Sequence, residues 1–158
     1  MGSPFTPVVF YRDPLAALHW LEKAFGFETS LLVTDEAGNV GHAEMTFGSE
    51  GRVGIGGEFA STELLGPASM KSPASLDGAG SQFIRVALEK GIDEHCARAE
   101  GAGARITQRP EDQFYGARVY RALDPEGHVW CFDETIEDMS TADMEKASGL
   151  TIKTSLEH

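Results

Sequence analysis

The chain has 158 residues, 41% hydrophobic and 24% charged, a balance that suits one globular domain or two small modules sharing an interface. Its formal net charge of −12 argues against nucleic acid and against anionic membranes, since both need a basic face. No apolar run approaches the roughly 18 residues of a membrane span, and two cysteines, Cys96 and Cys131, are too few for a disulfide framework, so a cytoplasmic location is expected.

Met1-Gly2-Ser3-Pro4 has neither the basic start nor the apolar core of a signal peptide. Thr6-Pro7-Val8-Val9-Phe10-Tyr11-Arg12 then reads as a short apolar strand. Asp13-Pro14 is a helix entry, with Asp as cap and Pro at the first helical position. Leu18, Leu21 and Phe25 follow at i, i+3 and i+7 and give that helix one apolar face before Gly26 stops it. Glu28 to Thr34 reads as a strand, with Asp35 to Asn39 as its turn. From His42 to Phe47 the chain alternates, placing His42, Glu44 and Thr46 on one face and Ala43, Met45 and Phe47 on the other. Arg52 to Gly57 is its pairing partner, although three glycines weaken it as a strand.

Phe59 to Gly80 is rich in Ser, Gly, Pro and Ala without periodicity and reads as a long loop. The pattern then repeats. Beginning at Gln82, 76 residues after Thr6, come a strand to Leu88, a helix from about Ile92 to Glu100 and a strand from Ala104 to Gln108. A loop from Arg109 to Gly116 leads to a hairpin of Arg118–Leu123 with His128–Glu134. The expected organisation is a first βαβββ module over residues 1–60, a linker over 61–80, a second module over 81–136 and a polar tail over 137–158. Ser140 would cap a short terminal helix, and Leu156-Glu157-His158 resembles the start of an expression tag.

Phosphate-loop, dinucleotide, nucleophile-elbow and CxxC signatures are all missing, and no two histidines stand at HExxH spacing. His19 and His95 read as exposed helical residues. If Asp124 to Gly127 form the second hairpin's turn, Leu123 faces His128, Tyr120 faces Cys131, and Arg118 faces Asp133. Val119, Arg121, Trp130 and Phe132 then share the helix-facing side. Arg118, Tyr120, Ala122, Val129, Cys131 and Asp133 share the other, an apolar surface with a few polar groups that suits a small-molecule cup. In the first hairpin His42, Glu44 and Thr46 join Val53 and Ile55 on the cup side. His42 and Glu44, at i and i+2, would hold one metal ion or share a proton; the plainer alternatives are a solvated strand face or a buried His–Glu hydrogen bond.

Four stretches carry a resemblance: Thr6 to Phe27, Gly41-His42-Ala43-Glu44-Met45, Glu111-Asp112-Gln113-Phe114-Tyr115-Gly116 and Asp124-Pro125-Glu126-Gly127-His128-Val129-Trp130. Over about residues 5 to 140 the chain resembles the vicinal oxygen chelate superfamily of glyoxalases, bleomycin-resistance proteins and extradiol dioxygenases. It is most similar there to the PhnB-like, glyoxalase-related branch. The resemblance implies an α+β fold in which two tandem βαβββ modules form a U-shaped cup of mixed sheet with helices on the outer face, usually as a homodimer. In the family's metal enzymes four ligands come from the first and last strands of each module. Those sites fall on Thr6, Gly54 or Ile55, Gln82 and Cys131. Only Gln82 is a usual ligand type and no carboxylate is among them, so no cofactor is expected.

The function this implies is binding of a small organic molecule in a metal-free cup, either to sequester it or to act on it. Thr6, His42, Glu44, Gln82, Arg118, Tyr120 and Cys131 would line the cup, with Tyr115 near its mouth. Val8, Phe10, Ile55 and Val129 would add apolar contact. A second reading is a divalent-metal-dependent lyase, isomerase or dioxygenase-type enzyme that recruits His42 and Glu44. A third is a non-catalytic ligand sensor whose contact surface is the Phe59–Gly80 loop.

Overall fold

A computed structural model describes residues 2–156; Met1 and the last two residues of the expected tag, Glu157 and His158, lie outside the described residues. Strand β1 (Val8–Tyr11), helix α1 (Pro14–Phe25) and strands β2 (Glu28–Thr34), β3 (Val40–Phe47) and β4 (Gly51–Gly57) form the first module. Strand β5 (Ile84–Leu88), helix α3 (Ile92–Gly101) and strands β6 (Arg105–Asp112), β7 (Ala117–Leu123) and β8 (Val129–Thr135) form the second. Their sheets run β1-β4-β3-β2 and β5-β8-β7-β6, each with a parallel first pair and antiparallel remainder. The fold is therefore α+β, built from two tandem βαβββ modules. No helix among the described residues is long and apolar enough to cross a membrane.

Local chemistry explains α1 well. Asp13 Oδ1 accepts from the Ala16 N–H at 3.1 Å, Pro14 opens the helix, and Gly26 closes it at φ 76°, a left-handed cap suited to glycine. Leu18, Leu21 and Phe25 are buried as their spacing requires. The Phe59–Gly80 stretch departs from the expected loop. It begins with helix α2 (Glu58–Leu65) and continues through short 3-10 turns at Gly66–Ala68 and Pro73–Ser75. Tertiary bonds hold this segment: Glu58 accepts from the Ser72 N–H (2.9 Å) and the Ser75 hydroxyl (2.8 Å), and the buried Ser72 hydroxyl donates to Glu126 (2.6 Å). A short helix with little amphipathic pattern gives the sequence nothing to show.

Both helix-bearing sheet faces pack into one core. Leu21 and Phe25 of α1, Ile92 and Cys96 of α3, Met45 and Ile55 of the first sheet and Tyr120, Trp130 and Phe132 of the second belong to the same buried cluster. The Phe25 ring lies 4.7 Å from that of Phe132. Each sheet thus turns one face to this core; its other face, called the open face below, is largely exposed in the first sheet, whereas in the second it holds the buried Ala117, Val119 and Cys131.

The strand registers correct two expectations. In β7 and β8, Leu123 faces Val129, Tyr120 faces Phe132, Arg121 faces Cys131 and Arg118 faces Glu134. The turn takes in one residue more than expected, His128, because Asp124 Oδ1 accepts from both the Glu126 and His128 N–H groups at 3.0 Å. A one-residue slip exchanges the faces of β7. Tyr120, Ala122 and Arg118 therefore stand on the helix side, and Val119 and Arg121 on the open side. The expected Arg118–Asp133 pair does not form. Arg118 reaches Asp93 (3.0 Å) and Asp112 (2.8 Å) instead, and Asp133 pairs with Arg85 (3.1 Å).

In the first sheet Glu44 faces Gly54 and Met45 faces Val53. Val53 and Ile55 consequently lie in the core with Met45, and the open side carries Gly54 and Gly56 with His42 and Glu44. The glycines of β4 are also explained here. A Cβ on Gly54 would meet Val8 at 3.0 Å and His42 at 3.3 Å, and one on Gly56 would meet the Phe10 ring at 2.7 Å. Side chains from β1 and β3 lie over β4 because it has none there.

Candidate functional site

Each sheet offers one open face, and each face combines apolar walls with a few polar groups. On the first, β1 supplies Val8 and Phe10, which face Gly54 and Gly56. Strand β2 supplies Leu31 opposite Glu44 and Val33 opposite His42. Both are about half exposed. His42 Nε2 lies 3.6 Å from Glu44 Oε1, with both side chains reaching solvent, so the pair sits within an otherwise apolar patch. Thr6 lies exposed ahead of β1.

On the second face Ala117, Val119 and Cys131 form a small buried cluster separate from the main core. Around it stand Arg85 with Asp133, and Arg121, whose guanidinium lies 5.9 Å from the centre of the Phe83 ring. The hydrogen bond and charge of Asp133 push the Arg85 guanidinium further up in pKa. Tyr115 sits in the β6–β7 turn, edge-on to Phe114 at 5.2 Å, with both rings partly exposed. Gln82 is exposed just before β5.

His42 and Glu44 are thus together on one open face, and Cys131 is on the other; Tyr115 stands in the β6–β7 turn. Tyr120 and Arg118 are on neither. Tyr120 is fully buried, and burial raises its phenol well above the ordinary range. Leu31, Val33, Phe83, Arg85 and Arg121 were not anticipated. Strand alternation would have found Leu31 and Val33 on β2 once the register to His42 and Glu44 was known.

His95 was also missed as a structural residue. It is half-buried, with Nε2 2.8 Å from the Phe25 carbonyl and Nδ1 2.6 Å from the Tyr120 hydroxyl. A carbonyl only accepts, so Nε2 carries the proton, and a neutral ring then accepts from Tyr120 at Nδ1. Desolvation lowers its pKa. The signal was present: Ile92, His95, Cys96 and Ala99 fall at i, i+3, i+4 and i+7, a core-facing stripe.

The Asp124-to-Trp130 motif serves the interior. Asp124 Oδ2 accepts from the Tyr11 hydroxyl (2.6 Å) and the Trp130 indole (3.0 Å). Glu126 accepts from the Arg12 and Asp13 N–H groups (2.6 and 3.0 Å), at the entry to α1, and His128 Nε2 donates to the Phe10 carbonyl (2.6 Å). These bonds tie the second module's hairpin turn to the first module's β1–α1 junction.

The donor set does not fit the metal centre that the family's enzymes carry. Of the corresponding positions, Gly54 rather than Ile55 faces the open side and brings no donor, Thr6 and Gln82 are neutral, and Cys131 is buried among Ala117 and Val119. Among the described residues no group of three or more His, Cys, Asp or Glu side chains is placed to hold a metal ion.

Comparison with known proteins agrees with this architecture. Residues 5–132 match the profile of the Glyoxalase/Bleomycin resistance protein/Dioxygenase superfamily. TioX from Micromonospora sp. ML1 is 29% identical, with a TM-score of 0.61 over 85% of this chain and 99% of that one. A glyoxalase-related enzyme from Fulvimarina pelagi shares the fold at 15% identity, with a TM-score of 0.63 over 84% of this chain and 88% of its own. A glyoxalase/bleomycin resistance protein/dioxygenase from Nocardioides does so at 19% identity and a TM-score of 0.61, covering 87% of each chain. No curated protein sequence matches the chain. With a profile match across both modules and the paired βαβββ architecture that it requires, the chain belongs to the glyoxalase, bleomycin resistance protein and dioxygenase superfamily.

Proposed function

We propose that this protein is a metal-free binder of a small organic molecule, working as a cytoplasmic homodimer. The observation that carries the reading is that the helix-bearing faces of both sheets share one core. Because both helix-bearing faces share one core, the open faces of a single copy point away from each other. A cup with two walls then takes the first module of one copy and the second module of another. Val8, Phe10, Leu31 and Val33 would form one wall with His42 and Glu44; Val119, Cys131, Phe83 and Arg121 would form the other, with Tyr115 at the rim. Thr6 and Gln82 would lie at the wall edges. Such a surface suits an apolar molecule oriented by a few polar contacts. Free, buried Cys96 and Cys131 are consistent with a reducing compartment. The Asp-Pro-x-Gly-His-x-Trp run and the loop around Tyr115 support placing the chain on the PhnB-like, glyoxalase-related branch.

The test combines light scattering with a thermal-shift screen of small apolar compounds on protein dialysed against divalent ions and then freed of unbound metal. The expected result is a dimer, no retained metal and at least one stabilising compound. Both Val33→Glu and Arg121→Glu should abolish the response, because each puts a negative charge on one wall at an exposed position. A monomer that binds normally, or binding that survives both substitutions, would overturn the reading. Retention of about one ion per subunit would instead favour the lyase or isomerase alternative, in which His42 and Glu44 supply two ligands.

A further inference from the structure

A second hollow lies away from the proposed cup, where the β1–α1 junction, the β2–β3 turn and the start of α2 converge. Its volume is about 840 Å³, and Leu15, Val33, Val40 and Phe59 give it apolar walls. Only Val33 is shared with the first open face. Phe59 is 86% exposed, an unusual position for a phenyl ring that nothing covers. Arg12 lines this hollow, and it also lines the adjoining one, beyond Phe59, with Lys71.

These two cations are notable in a chain of net charge −12. Neither side chain has a carboxylate within 4.0 Å among the described residues. The charges of both bear on Glu58. Burial would raise that carboxyl, but the Ser72 N–H, the Ser75 hydroxyl and the charges of Lys71 and Arg12 together bring it below its ordinary value. Glu58 is committed to those serine bonds. The rim carboxylates are committed as well: Asp13 to the Ala16 N–H, and Asp35 to Asn39 and the Ala37 N–H. Arg12 and Lys71 therefore retain donor capacity beside an apolar surface.

We infer that this hollow binds a singly charged organic acid, its apolar body against Phe59, Leu15 and Val40 and its carboxylate on Arg12, with the charge of Lys71 in the adjoining hollow adding to the attraction. A guanidinium meets a carboxylate through two parallel hydrogen bonds. Asp13 and Asp35 in the lining, with Glu58 and Glu126 next to Arg12, oppose a dianion such as a phosphate monoester more than a monoanion, which selects the carboxylate. This site shares only Val33 with the cup, and its test at Arg12 stands or falls separately from the cup's.

The test is an amide NMR titration of the full chain with 1-naphthoate, and with 1-naphthamide as its uncharged counterpart. The expected result is saturable shifts at residues 12–15, 33–40 and 57–60, with the amide binding about tenfold more weakly or worse. Arg12→Gln should weaken naphthoate by a similar factor. Arg105→Gln, which removes an exposed charge elsewhere, should leave it unchanged. Shifts confined to the sheet faces would overturn the assignment, as would equal affinity for acid and amide. So would binding that ignores Arg12→Gln, or the lack of any shift up to about 10 mM ligand.

Discussion

The Tyr120 hydroxyl donates to Nδ1 of His95 at 2.6 Å, and through that ring β7 is connected to the carbonyl at the end of α1. The connection spans both modules and needs a neutral imidazole. Since burial lowers the folded pKa of His95, the unfolded chain takes up a proton on that ring more readily. Stability from this source is complete above the unfolded value near 6.5 and declines as pH falls below it, until the folded ring itself protonates. Thermal midpoints measured between pH 8 and 5 should show that decline, and His95→Gln should flatten it. Tyr120→Phe should cost about 1 kcal/mol at neutral pH, by leaving Nδ1 without a donor. Equal pH slopes in wild type and His95→Gln would refute the argument.

Asp124 should rank among the most sensitive polar residues of the chain. It is buried, and its two oxygens receive the Tyr11 hydroxyl, the Trp130 indole and two turn N–H groups. Asp124→Ala strands all four donors, so a loss of about 3 kcal/mol or more is expected from urea denaturation. Asp124→Asn keeps an acceptor for the turn and turns an N–H toward the Trp130 indole, which predicts an intermediate loss. A near-neutral Asp124→Ala would mean that water replaces the carboxylate and that the turn does not tie the modules together.

How legible each part was in the sequence follows from how local its determinants are. Helix α1 could be read in advance because Asp13, Pro14 and Gly26 act within a few residues of one another. The second hairpin could not, since its register depends on whether His128 belongs to the turn, and the Asp124 side chain settles that. The slip moved Tyr120 from the expected cup into the core while leaving Cys131 on the open side, because only β7 changed faces. Helix α2 rests on Glu58 reaching Ser72 and Ser75, a long-range arrangement with no periodic trace. His95 had a readable spacing, but its partners, Phe25 and Tyr120, lie 70 and 25 residues away.

Strand β4 offers a test of the glycine argument. Gly56→Ala places a methyl where the Phe10 ring now sits, at 2.7 Å from Cε1. Phe10 is only partly buried, so it should swing off the strand at a cost of about 1–3 kcal/mol. Phe10→Ala removes the ring and should make Gly56→Ala nearly harmless. The double-mutant cycle should therefore show a coupling of about 1 kcal/mol or more. Additive losses would place the strain elsewhere in β4.

Asp133 separates stability from recognition. Its partner Arg85 is 64% exposed at the side chain, so the ion pair is largely screened and contributes about 1 kcal/mol or less. Asp133→Asn should leave the urea midpoint almost unchanged. The same substitution removes a negative charge from the second open face and frees Arg85 beside Arg121. If that face is a wall of the cup, acidic members of any compound series that binds should gain affinity over their amides, by several-fold at low salt and less at high salt. Calorimetric titration of one acid and its amide against wild type and Asp133→Asn measures the difference directly. Identical acid-to-amide ratios in the two proteins would remove Arg85 and Asp133 from the recognition surface, whatever the ligand proves to be.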